Sequence, residues 1–159
     1  MPIENKKLNT PDLFVMNEDK VNECIASYLN SKGFKHVHYL TGRTRGVDVY
    51  GKKGNLEVFV ESKGSHANDH SCEIVFDDNQ LWDHLCKQVC KLMVYRDDHR
   101  GKKIILVAAN PDNPRIKKYM NKIEGSIEDL KIVKMWVKEN CEVIVNVPKS
   151  IEEGVLELL

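Results

Sequence analysis

The segment RGVDVYGKKGNLEVFVESKG, residues 45 to 64, constrains the fold more than any other part of the chain. Apolar and polar residues alternate on both sides of GKKGN, which predicts two antiparallel strands joined by a tight turn. If two residues form the turn, Tyr50 pairs with Phe59 and Asp48 lies opposite Glu61. A longer loop would offset this pair. The hairpin therefore places carboxylates where a half-buried strand normally carries apolar side chains.

Three charged side chains share one face of this hairpin. Period two along the second strand puts Glu61 and Lys63 on the face of Phe59, and strand pairing brings Asp48 to Glu61. Burying two carboxylates side by side is costly unless a positive charge neutralises them. An ion pair with Lys63 would do so, and so would a divalent cation such as Mg²⁺, which binds carboxylates and keeps several waters. If the face is solvated instead, the three groups are ordinary surface charges.

The remaining sequence predicts helices and strands around the hairpin. Residues 17–32 predict a helix with Asn17 as its N-cap and Gly33 as its stop. A second helix is predicted from about Asn79 to Tyr95. A third, basic helix follows the turn in NPDNPRIKKYMNKI, and further strands are predicted at 34–40, 73–76, 102–109, 130–137 and 141–147. This order predicts an α/β fold with a mixed central sheet flanked by helices.

Composition excludes several classes of protein. The chain is 42% hydrophobic and 30% charged, as globular domains are. The apolar run IILVAA at 104–109 is too short to cross a bilayer, so we expect no membrane segment. The N-terminus predicts no secretory signal, and five irregularly spaced cysteines predict free thiols in the cytoplasm. A net charge of zero argues against a protein whose whole surface binds nucleic acid, but it is compatible with a local basic face.

The stretch GVDVYG…VFVESKG resembles the core motif of the PD-(D/E)xK nuclease superfamily, which has the restriction-endonuclease-like fold. It is most similar to Holliday-junction resolvases and to restriction nucleases that attack modified DNA. In those families a helix ending in GF or GY precedes GvDv, a turn and a hydrophobic strand ending in ExK. The resemblance covers residues 17–64 well and extends loosely to 109. It implies a single nuclease-like domain over residues 1–159, with its core at about 17–110.

The resemblance implies a role for each residue of the motif. Asp48 and Glu61 would be metal ligands, helped by the backbone carbonyl of Ser62, and Lys63 would be the catalytic lysine. The cofactor would be Mg²⁺ or Mn²⁺. The implied activity is metal-dependent hydrolysis of phosphodiester bonds, with DNA as the expected substrate.

Further residues are candidates on weaker grounds. The first helix of such families often contributes a glutamate, but here that position falls near Asn22, and Glu18 one turn earlier could substitute. Gln88 matches a glutamine that many relatives carry on the following helix. It is either a core amide with backbone partners or a site residue that orients Lys63 or a phosphate. Arg43 and Arg45 belong either to a solvated loop or to one that contacts phosphates.

Two other functions stay open at this point. The chain could be a catalytically silent nucleic-acid-binding module on the same fold, although the intact D…ExK motif argues against this. It could also be a protein-interaction module, for which zero net charge would be natural. Small nucleases of this fold often act as homodimers that cut two strands with two sites, and the resemblance allows the same here.

Overall fold

The computed structural model of the protein describes residues 1–155 and 157–159. The chain forms strands and helices in mixed order. The strands are β1 (Ile3–Glu4), β2 (Lys35–Tyr39), β3 (Val49–Lys53), β4 (Leu56–Ser62), β5 (Ile74–Val75), β6 (Ile104–Pro111), β7 (Ile132–Val137) and β8 (Val143–Asn146). The α-helices are α1 (Glu18–Ser31), α2 (Asp78–Asp98), α3 (Pro114–Asn121), α4 (Glu124–Asp129) and α5 (Glu152–Val155).

Six of the strands form one mixed sheet in the order β2-β3-β4-β6-β7-β8. The first three pair antiparallel, β4, β6 and β7 run parallel, and β8 returns antiparallel. The predicted mixed sheet flanked by helices is confirmed. The sheet continues well past residue 110, because β7 and β8 complete it. Strands β1 and β5 form a separate two-stranded ladder.

The register of the β3–β4 hairpin agrees with the sequence-based prediction. Tyr50 pairs with Phe59, and Lys53 pairs with Leu56, which leaves a two-residue turn. Gly54 opens this turn with a φ of 62°, a backbone conformation that favours glycine. The alternation along β4 therefore assigns its residues to opposite faces of the sheet, as expected.

Each face of the sheet is covered by helices and has its own apolar core. Helix α1 packs Val21, Ile25 and Leu29 onto the face that carries Val58 and Val60. Helices α2, α3 and α4 cover the opposite face, where Phe59 and Leu106 meet residues such as Leu85, Leu92, Met120 and Ile127. Because Glu61 lies on the same face as Phe59, it points toward α2.

The first helix begins and ends where the sequence predicts. The Asn17 side chain accepts a hydrogen bond from the backbone N–H of Lys20 at 2.8 Å, as an N-cap does. Gly33 follows the helix with a φ of 84°. Strand β5 lies within the strand predicted at 73–76. Its partner β1 and helix α4 were not predicted, since such short elements carry too little periodicity to detect.

The prediction of five free thiols is wrong for two of the cysteines. Cys24 of α1 and Cys141 of the β7–β8 turn form a disulfide, with Cα atoms 5.3 Å apart. They lie 117 residues apart in the chain, so only the packing of α1 across the sheet brings them together. Cys72, Cys86 and Cys90 are free. Within the described part of the chain, no helix has the length and apolar character to cross a membrane.

Candidate functional site

The two carboxylates of the hairpin meet at its open end. Asp48 directly precedes β3, one step beyond the Val49–Val60 pair, and so lies opposite Glu61. The Asp48 side chain accepts a hydrogen bond from the backbone N–H of Ser62 at 2.8 Å. Asp48 is 6% exposed and Glu61 is 0% exposed. The site is therefore a buried acidic pair, which excludes the interpretation of these groups as solvated surface charges.

Glu61 is held by three donors. Its Oε1 atom lies 3.3 Å from the Lys63 ammonium and 2.7 Å from that of Lys91. The Tyr95 hydroxyl donates to Oε2 at 3.2 Å. Burial, and then the charge of Glu61, raises the pKa of Tyr95, so its hydroxyl remains a donor. The Glu61 carboxylate thereby has a partner on each of its two oxygens.

Lys63 lies between two carboxylates. Its ammonium is 3.3 Å from Glu61 and 3.4 Å from Glu18, and the side chain is 16% exposed. Burial alone would lower the pKa of Lys63, but the attraction of Glu18, Glu61 and Asp48 together outweighs it, so the pKa is raised. Lys63 therefore carries its positive charge at neutral pH.

Asp48 is the less well compensated member of the acidic pair. Burial raises its pKa first and repulsion from Glu61 raises it further, to about 7, although the hydrogen bond from Ser62 opposes the shift. A carboxyl group with a pKa near neutrality is half protonated under ordinary conditions. A divalent cation beside Asp48 would favour its ionised form and offset the repulsion from Glu61.

The structure distinguishes the two candidates from the first helix. Glu18 reaches Lys63 and lines a cleft beside the site. Asn22 is buried and its side-chain amide donates to the Leu40 carbonyl at 3.1 Å. The backbone N–H of Leu40 in turn donates to the Asp48 carbonyl at 2.9 Å. Asn22 thus secures the segment that leads into Asp48, while Glu18 contacts the charged cluster itself.

Gln88 of α2 is fully buried behind β4. Its side-chain amide donates to the backbone carbonyls of Glu61 at 2.8 Å and Ala109 at 3.2 Å. Its oxygen accepts from Asn110 at 3.3 Å. Of the two roles that the sequence left open, these contacts match the core amide with backbone partners, and they fix the main chain of Glu61.

An open cleft of about 610 Å³ adjoins the acidic pair. Its walls include Glu18 and Lys63 on one side, Lys87 and Lys91 of α2 on the other, and Gly42 of the β2–β3 loop. The same loop carries Arg43 and Arg45, the two residues predicted to contact phosphates, and both side chains are exposed. The guanidinium of Arg43 lies 4.0 Å from the Asp69 carboxylate. The loop itself is anchored, since the N–H of Gly42 donates to the Asp19 carboxylate at 2.9 Å.

Lys91 and Tyr95 contact Glu61, although neither was predicted from the sequence as a site residue. A signal for them exists, because they follow Gln88 by three and seven residues. These spacings place all three side chains on one face of α2. Once Gln88 is assigned to the inward face, both residues become candidates for the same site.

The oxygen donors of the site suit a hard divalent cation. Asp48, Glu61, the Ser62 carbonyl and Glu18 are ligands of the type that Mg²⁺ and Mn²⁺ bind. In the described residues, however, no three His, Cys, Asp or Glu side chains are arranged to hold a metal ion. Both lysines contact Oε1 of Glu61, so a cation that binds this oxygen would have to displace one of them.

Comparisons of the chain with known family models, with curated proteins and with solved structures find no match.

Proposed function

We propose that the chain is a divalent-metal-dependent nuclease of the PD-(D/E)xK superfamily, with a restriction-endonuclease-like fold and DNA as substrate. The observation that carries this proposal is the meeting of Asp48, Glu61 and Lys63 beside an open cleft. The mixed sheet with helices on both faces supports the fold assignment. The cytoplasmic location and the homodimer stay predictions.

The proposed metal ligands are Asp48, Glu61 and the Ser62 carbonyl, with Glu18 beside them. The raised pKa of Asp48 supports this assignment, because burial and Glu61 leave the site short of positive charge. Bound there, Mg²⁺ or Mn²⁺ would polarise a phosphodiester and lower the pKa of water. A bound cation would also favour the ionised form of Asp48.

Lys63 has a different proposed role. Its ammonium is charged, nearly buried and held at the cleft wall by Glu18 and Glu61. From that position it can donate a hydrogen bond to the phosphate oxygen on which negative charge develops. Hydrolysis adds water across one phosphorus–oxygen bond and leaves a phosphate monoester and a hydroxyl end. Lys63 is needed for this step and is not a metal ligand.

A specific observation favours the catalytically silent module as a second candidate. Glu61 is fully paired by two lysines and a tyrosine without any metal ion. Such a network can be purely structural, and the cleft could still bind nucleic acid or a protein partner. This candidate predicts nucleic-acid binding without cleavage.

Nicking of supercoiled DNA in Mg²⁺ or Mn²⁺, with and without EDTA, separates the two candidates. We expect metal-dependent cleavage by the wild-type protein. Lys63→Ala should lower the cleavage rate about 10²- to 10³-fold, as loss of one donor to the developing charge does. It should leave the metal-induced rise in melting temperature in place, because lysine is not a ligand.

The matched control is Lys103→Ala, which removes an exposed lysine that lies outside the cleft. This variant should cleave DNA at the wild-type rate. Equal cleavage by the wild-type protein and Lys63→Ala would mean that the activity belongs to another site or to a contaminant. Binding of DNA without cleavage in either metal would favour the silent module.

A further inference from the structure

The two lysines on Glu61 are held very differently. Lys63 belongs to the same strand segment as Glu61, is 16% exposed and has a second carboxylate contact with Glu18. Lys91 reaches Glu61 from α2, and its side chain is 52% exposed on the cleft wall. Lys63 is therefore fixed by the fold, whereas Lys91 can leave Glu61 by turning a solvent-accessible side chain.

A cation bound at Oε1 of Glu61 would compete with Lys91 for that oxygen. The Lys91 ammonium lies 2.7 Å from Oε1, closer than that of Lys63 at 3.3 Å. A divalent cation there would be a third positive charge beside these two ammonium groups, and its repulsion of them is strong because Glu61 is screened from solvent. A divalent cation at Oε1 would therefore displace the more exposed of the two lysines, Lys91.

A displaced Lys91 ammonium would need a new anionic partner. Within the described residues, Glu61 is the carboxylate in ion-pairing distance of Lys91. The cleft into which Lys91 would turn already contains Lys63 and Lys87. An anionic group that enters this cleft, such as a phosphate of a nucleic-acid backbone, would supply the missing charge.

We propose that Lys91 couples cation binding to nucleic-acid binding. It pairs with Glu61 in the metal-free protein and contacts a backbone phosphate when a divalent cation takes Glu61. The inference rests on the proposed function. Because coupling between two ligands is reciprocal, the nucleic acid strengthens cation binding as much as the cation strengthens nucleic-acid binding. Lys91 would act as a positioning residue that keeps the site closed to metal until substrate is present.

The test is a Mn²⁺ titration, followed by melting temperature, with and without a short phosphorothioate DNA duplex that resists hydrolysis. In the wild-type protein the duplex should lower the half-saturating Mn²⁺ concentration. In Lys91→Gln this concentration should already be about tenfold lower without DNA, and the duplex should change it little. Lys91→Arg keeps the charge and should keep the wild-type coupling.

The matched control is Lys87→Gln, which removes the same charge one turn earlier on the same wall and lies outside the contacts of Glu61. Without DNA it should bind Mn²⁺ as the wild-type protein does. Equal half-saturating Mn²⁺ in the wild-type protein and Lys91→Gln would overturn the inference and leave the nuclease proposal standing. An equal fall in the half-saturating Mn²⁺ concentration in Lys91→Gln and Lys87→Gln would also overturn the inference, because it would be a general effect of charge. Weaker Mn²⁺ binding by Lys91→Gln than by the wild-type protein would overturn it as well.

A different result would overturn the proposed function itself. If neither the wild-type protein nor any variant responds to Mn²⁺ with or without DNA, the site holds no cation and the coupling fails with it. By contrast, stabilisation of Lys91→Gln by Mn²⁺ without stabilisation of the wild-type protein would support the inference, because it would show that Lys91 blocks the cation site. Urea unfolding of each variant shows whether it is folded before titration.

Discussion

The charges of the site are unevenly satisfied at the level of single residues. Glu61 has two ammonium groups and a hydroxyl on its oxygens, whereas the contact of the Asp48 carboxylate is a backbone N–H. Burial and the neighbouring Glu61 raise the pKa of Asp48 to about 7. Asp48 is therefore the residue through which pH should act on the metal-free protein.

The raised pKa fixes the sign of the pH effect. The folded protein keeps the Asp48 proton up to a pKa of about 7, whereas the unfolded chain releases it near pH 3.8. The stabilising contribution of this protonation is full below the unfolded pKa and is lost as pH rises toward 7. Asp48→Asn imitates the protonated form and its amide oxygen can still accept from Ser62. In EDTA at pH 8, Asp48→Asn should melt roughly 10 °C above the wild-type protein, and at pH 4 this gap should close.

Asp69→Asn is the control for this experiment, because it removes the same charge from an exposed loop position. The difference in melting temperature between Asp69→Asn and the wild-type protein should be the same at pH 8 and pH 4. If the difference between Asp48→Asn and the wild-type protein also stays the same at both pH values, folding does not raise the pKa of Asp48. Saturating Mg²⁺ at pH 8 should raise the melting temperature of the wild-type protein and not that of Asp48→Asn.

At the level of elements, the site depends on a hairpin and two helices. The hairpin register was predictable, because side-chain alternation and a two-residue turn leave one register that buries Val58 and Val60. The way in which α2 packs against the hairpin was not predictable. The packing of a helix across a sheet depends on shape complementarity over many side chains, so the contacts of Lys91 and Tyr95 with Glu61 emerged only from the structure.

The strand end that carries Lys63 is joined closely to the start of α1. The N–H of Ser65 donates to the Met16 carbonyl at 2.8 Å, and the Ser65 hydroxyl accepts from the N–H of Met16 at 3.0 Å. Asn17 forms a β-bridge with His66. Gly64 lies inside this contact, so the distance between the two segments depends on its lack of a side chain.

Gly64→Ala should disturb this junction. A Cβ atom at Gly64 would lie 2.6 Å from the backbone nitrogen of Glu18 and 2.8 Å from the Met16 carbonyl oxygen, and neither can rotate away. We expect a loss of about 1–3 kcal/mol in the free energy of unfolding, measured in urea. Because the clash pushes Glu18 away from Lys63, the cleavage rate should fall as well.

The control is Gly125→Ala in α4, where an added Cβ meets nothing within 4 Å. There the higher helix propensity of alanine should stabilise the protein by up to about 1 kcal/mol. Equal free energies of unfolding for the two variants would contradict the tight junction at Gly64. A destabilised Gly64→Ala protein with unchanged activity would show that Glu18 is dispensable.

At the scale of the whole molecule, local patterns predicted the mixed sheet but not the links between distant segments. The N-terminal strand β1 pairs with β5, and the Tyr28 hydroxyl donates to the carbonyl of Leu159 at 2.5 Å. The Cys24–Cys141 bond belongs to the same class of contact. Such links join residues whose sequence neighbourhoods carry no shared signal, so they follow only from the completed packing.

The disulfide gives a last prediction for the whole molecule. Denatured but unreduced protein should show three reactive thiols, and reduction should raise the number to five, as counted with a thiol reagent. Reductant should lower the free energy of unfolding by about 2–4 kcal/mol, because the bond closes a long loop and restricts the unfolded chain. Cys141→Ser, which cannot form the bond, should show no change on reduction. Five reactive thiols before reduction would restore the original expectation of free cysteines, and an unchanged stability in reductant would mean that the core alone holds α1 against the β7–β8 turn.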